Sequence, residues 1–360
     1  MLIQVKIAVK IPFTLIFPKC NNYIYPMILV TGGTGLVGAH LLYELARAGE
    51  KIRAIHRENS DLNKVLEVFS FYSEAEEAKK LFHQIEWNVA DLNNIPQLTE
   101  VFVDVQQVYH SAALVSFDPA DEKELRKVNI EGTANIVNLC ISCRVHKLCF
   151  VSSIAALGNI TNADKIDETG KWNPEGKHNH YAISKYGAEI EVWRGTQEGV
   201  NAIIVNPGVI IGAGFWNSGS GKIFKKIDSG LSYYFPKVTG FVGVQDVVKS
   251  MIILMNSEKV NEQYVLVSEN ISFKQVFEWA ANALNKTKPK RKLQKWMIAL
   301  GWFFQKIGSI FGRKRSITYE TINSLHEESY YDNSKITQEM NYQFEPMESV
   351  VKRTTGNYKN

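Results

Sequence analysis

Cysteine is scarce in this sequence, with only four residues in a chain of 360. Cys140 and Cys143 form a C-x-x-C pair, but the pair lies in the apolar helical run 136–145, and no second pair or histidine pair follows it. A structural zinc site needs four such ligands. We therefore predict no metal, and we expect reduced, buried thiols in a cytoplasmic protein.

A strong bias in charge is also missing. The formal net charge is only +4, and the basic residues are mixed evenly with acidic ones. The basic blocks that are typical of nucleic-acid binding are absent, so we expect no nucleic-acid partner. A mild basic excess does suit a phosphate-bearing cofactor.

No long hydrophobic run opens the chain. Lysines and prolines break every apolar stretch of residues 1–26, so this segment lacks the apolar core of a secretory signal peptide. Met27 stands directly before the first predicted strand. We interpret residues 1–26 as a non-native or disordered extension and Met27 as the natural start; the alternative is a genuine but poorly ordered arm.

One strongly apolar segment, 296–304, lies between clusters of lysine and arginine. It is too short and too interrupted to span a bilayer. In one interpretation it is a helix of the substrate-binding lobe whose aromatic side faces inward. In the other it is an interfacial amphipathic helix, which predicts peripheral membrane contact through residues 293–311.

Strand and helix patterns alternate from Met27 to Gly212. Apolar runs predict strands at 27–31, 51–55, 85–89, 105–110, 148–152 and 202–206, and helical periodicity appears at 36–48, 122–144 and 180–197. Such alternation predicts an α/β fold, a Rossmann-type doubly wound parallel sheet. We expect residues 27–212 to form a dinucleotide-binding domain with the catalytic residues. Residues 213–360 would form a smaller substrate-binding lobe, from which about 241–256 return to the first domain.

A glycine-rich turn follows the first strand and opens the first helix. Its cofactor-binding candidates are Thr31, Gly32, Gly35, Leu36, Val37 and Gly38. Glycines let the backbone approach a pyrophosphate closely, and the helix N-terminus presents free N–H groups and the positive end of its dipole. The turn therefore predicts a nicotinamide dinucleotide.

The end of the second strand bears on the choice of cofactor. A carboxylate at this place would bind the ribose 2′-hydroxyl of NAD, but the sequence has Arg57, with Lys64 farther along. A guanidinium suits the 2′-phosphate of NADP, because it can donate two parallel hydrogen bonds. We predict NADP over NAD, although the adjacent Glu58 weakens the preference.

Two further strand ends supply candidate contacts to the adenosine half of the cofactor. Asp91 and Leu92 follow the third strand, and the Asp91 carboxylate would accept a hydrogen bond from the adenine amino group. The alternative for Asp91 is an N-cap of the helix near Ile95. Ala112 and Ala113 follow the fourth strand, and their small size would let the ribose lie against the backbone.

Ser153, Tyr181 and Lys185 are the catalytic candidates. Tyr181 and Lys185 are four residues apart in a predicted helix, so they share one face. A neighbouring ammonium group and a helix N-terminus favour a phenolate, and we expect them to lower the pKa of Tyr181. Ser153, at a strand end, would hydrogen-bond the substrate oxygen.

The order of these motifs resembles the extended short-chain dehydrogenase/reductase superfamily from Met27 to about Gly212. The matching segments are the glycine turn, Asp91-Leu92, 110–113, 128–133, 151–158, 181–185 and 206–209, and weaker marks occur at 242–247 and 331–335. The resemblance implies that Ser153, Tyr181 and Lys185 form the catalytic triad and that Asn129 supports the active site from a neighbouring helix. Tyr181 and Lys185 would also contact the cofactor, Lys185 by holding the ribose hydroxyls. It also implies that Pro207, Val209 and Ile210 contact the nicotinamide carboxamide, and that the protein is a homodimer.

Details within the superfamily narrow the expected activity. The apolar Ile154-Ala155-Ala156 stands where sugar-nucleotide dehydratases carry an Asp-Glu pair. The region around Arg57 and residues 110–133 looks more like dihydroflavonol 4-reductase and 3β-hydroxysteroid dehydrogenase relatives. The resemblance therefore implies an NADP-dependent oxidoreductase acting on a ketone, aldehyde or secondary alcohol of a hydrophobic small molecule. The alternatives are an NAD-dependent nucleotide-sugar epimerase and a non-catalytic NADP-binding sensor or scaffold.

Overall fold

A seven-stranded parallel sheet forms the centre of the protein. The computed structural model describes residues 26–158, 164–299 and 325–359. In chain order the strands are β1 (Met27–Thr31), β2 (Ile52–His56), β3 (Glu86–Val89), β4 (Val105–His110), β5 (Lys147–Val151), β6 (Ala202–Pro207), β7 (Val209–Ile211), β8 (Tyr233–Tyr234), β9 (Val238–Gly243), β10 (Glu262–Leu266), β11 (Glu269–Ser272) and β12 (Arg291–Lys292). The central sheet has the order β10-β6-β5-β4-β1-β2-β3, and all its neighbouring strands are parallel. The predicted doubly wound parallel sheet is confirmed.

In the described residues, helices flank this sheet and pack against the smaller sheets beside it. They are α1 (Leu36–Arg47), α2 (Asn63–Ser70), α3 (Ala75–His83), α4 (Ile95–Val101), α5 (Glu122–Leu125), α6 (Gly132–Ser142), α7 (His180–Gln197), α8 (Gly221–Asp228), α9 (Val244–Met255), α10 (Phe273–Leu284), α11 (Ser334–Glu339) and α12 (Met347–Lys359). Between α5 and α6 the chain forms a π-helical segment, Arg126–Glu131. The helix predicted over 122–144 is therefore a succession of three segments.

Two apolar layers cover the faces of the sheet. Val30 of β1 packs in one layer with Leu41 of α1. Leu29 packs in the opposite layer with Ile136 of α6 and Val192 of α7. Because side chains alternate along a strand, a strand that is buried on both faces is apolar throughout. This is why the run at 27–31 could be predicted as a central strand.

Residues beyond Gly212 contribute to both the central sheet and the structure beside it. The strands β11-β9-β7 form a separate three-stranded sheet, and β12-β8 form a two-stranded one. However, β10 pairs with β6 at the edge of the central sheet. Sequence reasoning missed β10, because Glu262 and Gln263 interrupt its apolar pattern. The domain boundary at 212 stays a prediction.

Two segments that the sequence singled out lie wholly or mostly outside the described residues. They are residues 1–25 of the predicted extension and most of the segment 293–311. In the described part of that second segment Ile298 is 2% exposed and Trp296 is 66% exposed. Among the helices that the structure describes, none is both long and apolar enough to cross a membrane.

The glycine-rich turn is closed by direct contacts between backbone atoms. Gly32 has a φ of +71°, and a Cβ atom there would lie 2.6 Å from the backbone nitrogen of Ala112. A Cβ atom on Gly38 would lie 2.1 Å from the carbonyl oxygen of Gly32. Since backbone atoms cannot move aside as side chains do, both positions require glycine. The turn therefore brings the start of α1 close to the end of β4.

We predict that Gly38→Ala lowers the free energy of unfolding by about 3 kcal/mol, because the new methyl group overlaps the backbone of the turn. Gly356→Ala is the matched control. Gly356 lies in α12, and a Cβ atom there would meet nothing within 4 Å. That change is expected to stabilise the protein by about 0.5–1 kcal/mol. Denaturation curves of the two variants check both signs, and an unchanged midpoint for Gly38→Ala would contradict the packing argument.

Candidate active site

The predicted cofactor-binding and catalytic residues gather at the carboxyl edge of the central sheet. In the sheet order, β1 lies between β4 and β2, so the chain connections on its two sides run in opposite directions. A crevice at such a switch point is the usual ligand site of this architecture. Ala112 N donates to Thr31 Oγ1 over 3.3 Å, and Ser111 Oγ donates to the Thr31 carbonyl over 2.7 Å. These bonds join the two strand ends beneath the crevice.

The glycine turn leaves room for a dinucleotide in front of α1. Gly35 is the N-cap of α1 and supplies no side-chain hydrogen bond to the helix. A Cβ atom on Gly35 would approach only the Gly32 carbonyl, at 3.3 Å. Leu36 and Val37 form the half-exposed first turn of the helix. The helix end, without a side-chain cap, and the open space before it fit a pyrophosphate group.

The candidates for binding the adenosine 2′-phosphate differ in their partners. Arg57 is exposed directly after β2 and belongs to none of the ion pairs that the described residues form. Lys64 lies 3.7 Å from Asp61, measured from Nζ to Oδ2. The guanidinium of Arg57 is thus the more accessible positive group at this end of the crevice.

Asp91 and Leu92 have separate surroundings. Asp91 is exposed, and its Oδ1 accepts a hydrogen bond from the Asn93 backbone over 2.9 Å. The alternative of Asp91 as a helix cap is wrong, because Asn94 caps α4 by accepting from Gln97 N. Leu92 is buried, and a Cβ atom on Gly132 of α6 would come within 2.9 Å of its side chain. Leu92 therefore packs between the strand end and α6. Ala113 is exposed in the loop after β4.

The structure brings Ser153 and Tyr181 together. Asn179 caps α7 by accepting a hydrogen bond from Ala182 N over 2.8 Å, which sets Tyr181 in the first turn of the helix. Ser153 follows β5 in an extended conformation and accepts from Ala155 N over 3.1 Å. Its hydroxyl lies close enough to the Tyr181 phenol to lower the pKa of the phenol. Two hydroxyl groups thus lie near each other at the carboxyl edge, where one carbonyl oxygen could accept from both.

Lys185 is buried one helical turn after Tyr181, with 2% of its surface exposed. Its Nζ donates to the Val151 carbonyl over 2.8 Å and lies 4.5 Å from the centre of the Phe150 ring. Burial lowers the pKa of Lys185 to about 7, against a smaller raising effect of the Glu189 carboxylate. The amine therefore changes its charge near neutral pH.

The prediction of a lowered pKa for Tyr181 is wrong in this structure. Burial raises the pKa of the phenol, and the hydrogen bond from Ser153 offsets only part of that effect. The expectation counted the neighbouring ammonium group and left out the loss of water around the ring. A phenol with a raised pKa is protonated at neutral pH, so it can act as a proton donor.

Asn129 supports the site from a distance. It is 1% exposed within the π-helical segment, and its Nδ2 donates to the Leu114 carbonyl and to Ser184 Oγ over 3.0 and 2.8 Å. Its Oδ1 accepts from Leu114 N over 2.7 Å. Ser184 in turn donates to the Tyr181 carbonyl over 2.8 Å. These hydrogen bonds go to the backbone and to Ser184, so Asn129 is a positioning residue and not one that meets the reacting atoms.

Sequence reasoning missed His110, which links the glycine turn to α6. Thr133 Oγ1 donates to the Asn129 carbonyl over 2.6 Å and lies 3.0 Å from His110 Nε2. Nε2 must then carry the proton, and Nδ1 accepts from Thr31 Oγ1 over 2.6 Å. Burial lowers the pKa of His110 to about 3, so the ring is neutral. The sequence signal that could have identified His110 is a histidine at the end of a buried strand.

Sequence reasoning also missed the apolar rim beside Tyr181. The rings of Phe117 and Tyr181 lie 5.6 Å apart in an edge-to-face arrangement. Phe117 is 54% exposed and Val115, in the same loop, is 56% exposed. Exposed apolar side chains that lie together mark contact surfaces, whereas isolated ones are common. The loop after β4 therefore offers an apolar contact surface next to the phenol.

Residues 207–210 lead away from the central sheet at the end of β6. Gly208 N donates to the Leu266 carbonyl over 3.0 Å, and Pro207 ends β6. Val209 and Ile210 are half-exposed in β7, where they pair with β9. Their predicted contact with the nicotinamide stays a prediction.

Comparisons with known proteins identify a family and several similar proteins. The family model described as "NAD dependent epimerase/dehydratase family" matches residues 28–266. The chain is 28% identical over 320 residues to a "putative dihydroflavonol 4-reductase" of Synechocystis sp., covering 86% of this chain and 88% of that protein. It is 27% identical over 264 residues to "sterol demethylase protein B" of Methylococcus capsulatus, covering 73% and 76%. The crystal structure of gox2253 is similar with a TM-score of 0.77 and 26% identity, covering 92% and 98%.

The buried histidine predicts a loss of stability in acid. The unfolded chain gains a proton at His110 below about pH 6.5, whereas the folded protein holds the ring neutral down to about pH 3. The free energy of unfolding therefore falls as the pH drops through this window, by up to about 1.4 kcal/mol per pH unit for this residue. His110→Gln keeps a donor and an acceptor but does not titrate, so its decline in acid is expected to be shallower. His83→Gln, on the exposed surface of α3, is the control, and equal slopes for wild type and His110→Gln would refute the assignment.

Proposed function

Since the chain belongs to the NAD-dependent epimerase/dehydratase family, we propose that it is an NADP-dependent reductase of a ketone or aldehyde on a hydrophobic small molecule. The observation that carries the proposal is the closeness of the Ser153 and Tyr181 hydroxyls, one helical turn from a buried Lys185. This arrangement lies at the same sheet edge as the glycine-rich turn. It supplies a proton donor and an oxygen-binding group beside a dinucleotide crevice.

The residues divide the work of the reaction as follows. When bound, the nicotinamide ring supplies the hydride. Ser153 donates a hydrogen bond to the substrate oxygen and orients it. Tyr181 transfers its phenolic proton to that oxygen as negative charge develops there, since its raised pKa keeps the proton on the ring until then. Lys185, when protonated, stabilises the phenolate that remains.

The proposed direction of the reaction has one support, and the proposed substrate class has two. A phenol that is protonated at neutral pH suits reduction, in which the tyrosine gives up a proton. Phe117 and Val115 form an exposed apolar surface beside that phenol, which favours a flat hydrophobic substrate. The names of the two relatives, a flavonoid-type reductase and a sterol demethylase protein, agree with a hydrophobic substrate.

The preference for NADP rests on Arg57. An exposed guanidinium outside the ion pairs of the described residues can bind the 2′-phosphate without first breaking another contact. We further propose that the protein is a homodimer, as the family resemblance implies, and that it is cytoplasmic, as its few cysteines suggest. Peripheral membrane contact through 293–311 stays an open prediction.

We predict that Tyr181→Phe lowers turnover by about a thousandfold, because it removes the proton donor and keeps the ring. NADPH binding is expected to remain nearly unchanged. Tyr186→Phe is the matched control, since it makes the same change on the same helix, where the Tyr186 ring stacks on Trp172. NADPH oxidation with aromatic and steroid ketones and aldehydes, together with fluorescence titration of NADPH, checks both effects.

Three outcomes of that experiment would count against the proposal. Full turnover of Tyr181→Phe would reject the role of the phenol. Copurified, tightly held NAD without net NADPH consumption would favour an epimerase. Firm NADPH binding with no oxidation across the whole panel would favour a sensor or scaffold.

Arg57→Ala is expected to weaken NADPH binding by about tenfold to a hundredfold, because a charged hydrogen-bonding partner of the 2′-phosphate is lost. NADH binding is expected to stay the same. Lys64→Ala should have a smaller effect, since Asp61 already attracts that ammonium group. Equilibrium titrations with both cofactors distinguish these cases, and equal losses for NADPH and NADH would contradict the assignment.

A further inference from the structure

One carboxylate is buried directly behind the candidate active site. Glu189 lies on α7, one helical turn after Lys185, and is only 5% exposed. None of the roles described above uses it. An ionised carboxylate is costly to bury unless it is hydrogen-bonded and faces an opposite charge. The surroundings of Glu189 meet both conditions.

Neutral donors from three neighbouring strands converge on this carboxylate. Ser152, directly after β5, donates to Glu189 Oε2 over 2.7 Å, and Asn206 of β6 donates to the same oxygen over 3.0 Å. Gln263 of β10 donates to Oε1 over 2.8 Å. All three donors are buried. Burial raises the pKa of the Glu189 carboxyl group, and these three hydrogen bonds act against that rise because they favour the ionised form.

A backbone carbonyl fixes the direction of the amide hydrogen bonds. Asn206 Nδ2 donates to the Ser153 carbonyl over 3.0 Å, and a carbonyl oxygen can only accept. Asn206 Oδ1 therefore faces Gln263 and accepts from its Nε2 over 2.9 Å. That same Nε2 is then the group that faces Glu189 Oε1. Both amides thus present N–H groups to the carboxylate, and one of them also holds the backbone of Ser153.

The nearest cation along α7 is Lys185, which is buried one helical turn before Glu189 on the same side of the helix. The contacts of its Nζ, the Val151 carbonyl and the Phe150 ring, carry no net charge, and it forms no direct ion pair with Glu189 among the described residues. The attraction between the two charged groups raises the pKa of the lysine against the effect of burial, and it lowers the pKa of the carboxyl group against the same effect. Each charge thus offsets part of the desolvation cost of the other.

We propose that Glu189 is the fixed counter-charge of Lys185: it keeps the ammonium group charged at the active site and, through Asn206, positions Ser153. The purpose of the charge rests on the proposed function, whereas the pairing rests on the burial of both groups one helical turn apart on α7 and on the attraction between their charges. Glu189 is a positioning residue, since its hydrogen bonds go to Ser152, Asn206 and Gln263 rather than to the reacting hydroxyls.

The other titratable groups near Lys185 and Glu189 do not change their charge near neutral pH. Tyr181 on α7 has a pKa raised by burial, and His110 on β4 stays neutral because its pKa is about 3. The groups from β5, β6 and β10 that touch the carboxylate are a hydroxyl and two amides, none of which titrates there. The Glu189 carboxyl group itself has a pKa raised by burial, so a change in coupling between about pH 6 and pH 9 reports on Lys185 only if it disappears in the Lys185→Met background.

A double-variant cycle with Glu189→Gln, Lys185→Met and both changes together measures the pairing. Removing one charge leaves the other buried without its partner, so each single variant is expected to lower the urea midpoint. The double variant is expected to have a higher midpoint than Glu189→Gln alone. If Glu189→Gln does not fold, Lys185→Met in the same chain should restore a folded protein. Midpoint losses that simply add, or a double variant that is also unfolded, would overturn the proposal.

The pH dependence separates a charge effect from a loss of hydrogen bonds. The loss caused by Glu189→Gln should be largest near about pH 6, where Lys185 is charged, and should shrink towards about pH 9, where the folded protein holds the amine neutral. In the Lys185→Met background the loss should not vary with pH in this way. Ser152→Ala, which removes one hydrogen bond and keeps the charge, should also give a loss that does not change with pH.

Two further variants complete the design. Glu191→Gln removes a carboxylate from the surface of the same helix, where it pairs with Arg194, and should leave the midpoint nearly unchanged. Glu189→Asp keeps the charge and should retain a midpoint loss that is smaller at about pH 6 than that of Glu189→Gln. A pH-independent loss for Glu189→Gln would refute the counter-charge. Because these measurements need no turnover, an inactive enzyme would leave them readable, and their failure would leave the proposed reductase activity standing.

Discussion

The burial of one ammonium group constrains much of the carboxyl edge of the sheet. A charged Lys185 has lost its water, so the protein must replace that solvation with fixed groups. A backbone carbonyl and an aromatic ring from β5 provide part of this replacement. The rest comes from a carboxylate that three strands hold in place. The polar cluster behind the site is thus a consequence of placing a lysine where no water reaches it.

A second set of hydrogen bonds connects the glycine turn with the helix that carries Tyr181. It runs from Thr31 at the glycine turn through His110 and Thr133 to Asn129, and from there through Ser184 to the backbone of Tyr181. Each group is buried or nearly so, and each bond has a donor and an acceptor that chemistry can assign. The turn for the dinucleotide and the helix of the tyrosine therefore stand in one fixed relation to each other.

Several parts of the fold were predictable because their physics is local. The buried strands are apolar along their whole length, the helix 180–197 has its boundaries where the pattern placed them, and the glycine turn follows a strand and opens a helix. Other parts were not. The strand β10 begins with Glu262 and Gln263, and only the structure shows that Gln263 is buried because it binds a carboxylate. The π-helical segment at Arg126–Glu131 has no sequence period of its own.

By itself the sequence determined the sheet, because periodicity along the chain encodes it, and the resemblance of its ordered motifs indicated the family and singled out Ser153, Tyr181 and Lys185 as the residues to examine. Only the tertiary structure decided how those residues behave. The pKa of Tyr181 is raised where the spacing predicted a lowered one, and Asn129 reaches the site through Ser184 and the backbone. Asn94, not Asp91, caps α4. The reason is common to these cases: spacing records which residues share a helix face, whereas desolvation and hydrogen bonding depend on groups that arrive from distant segments of the chain.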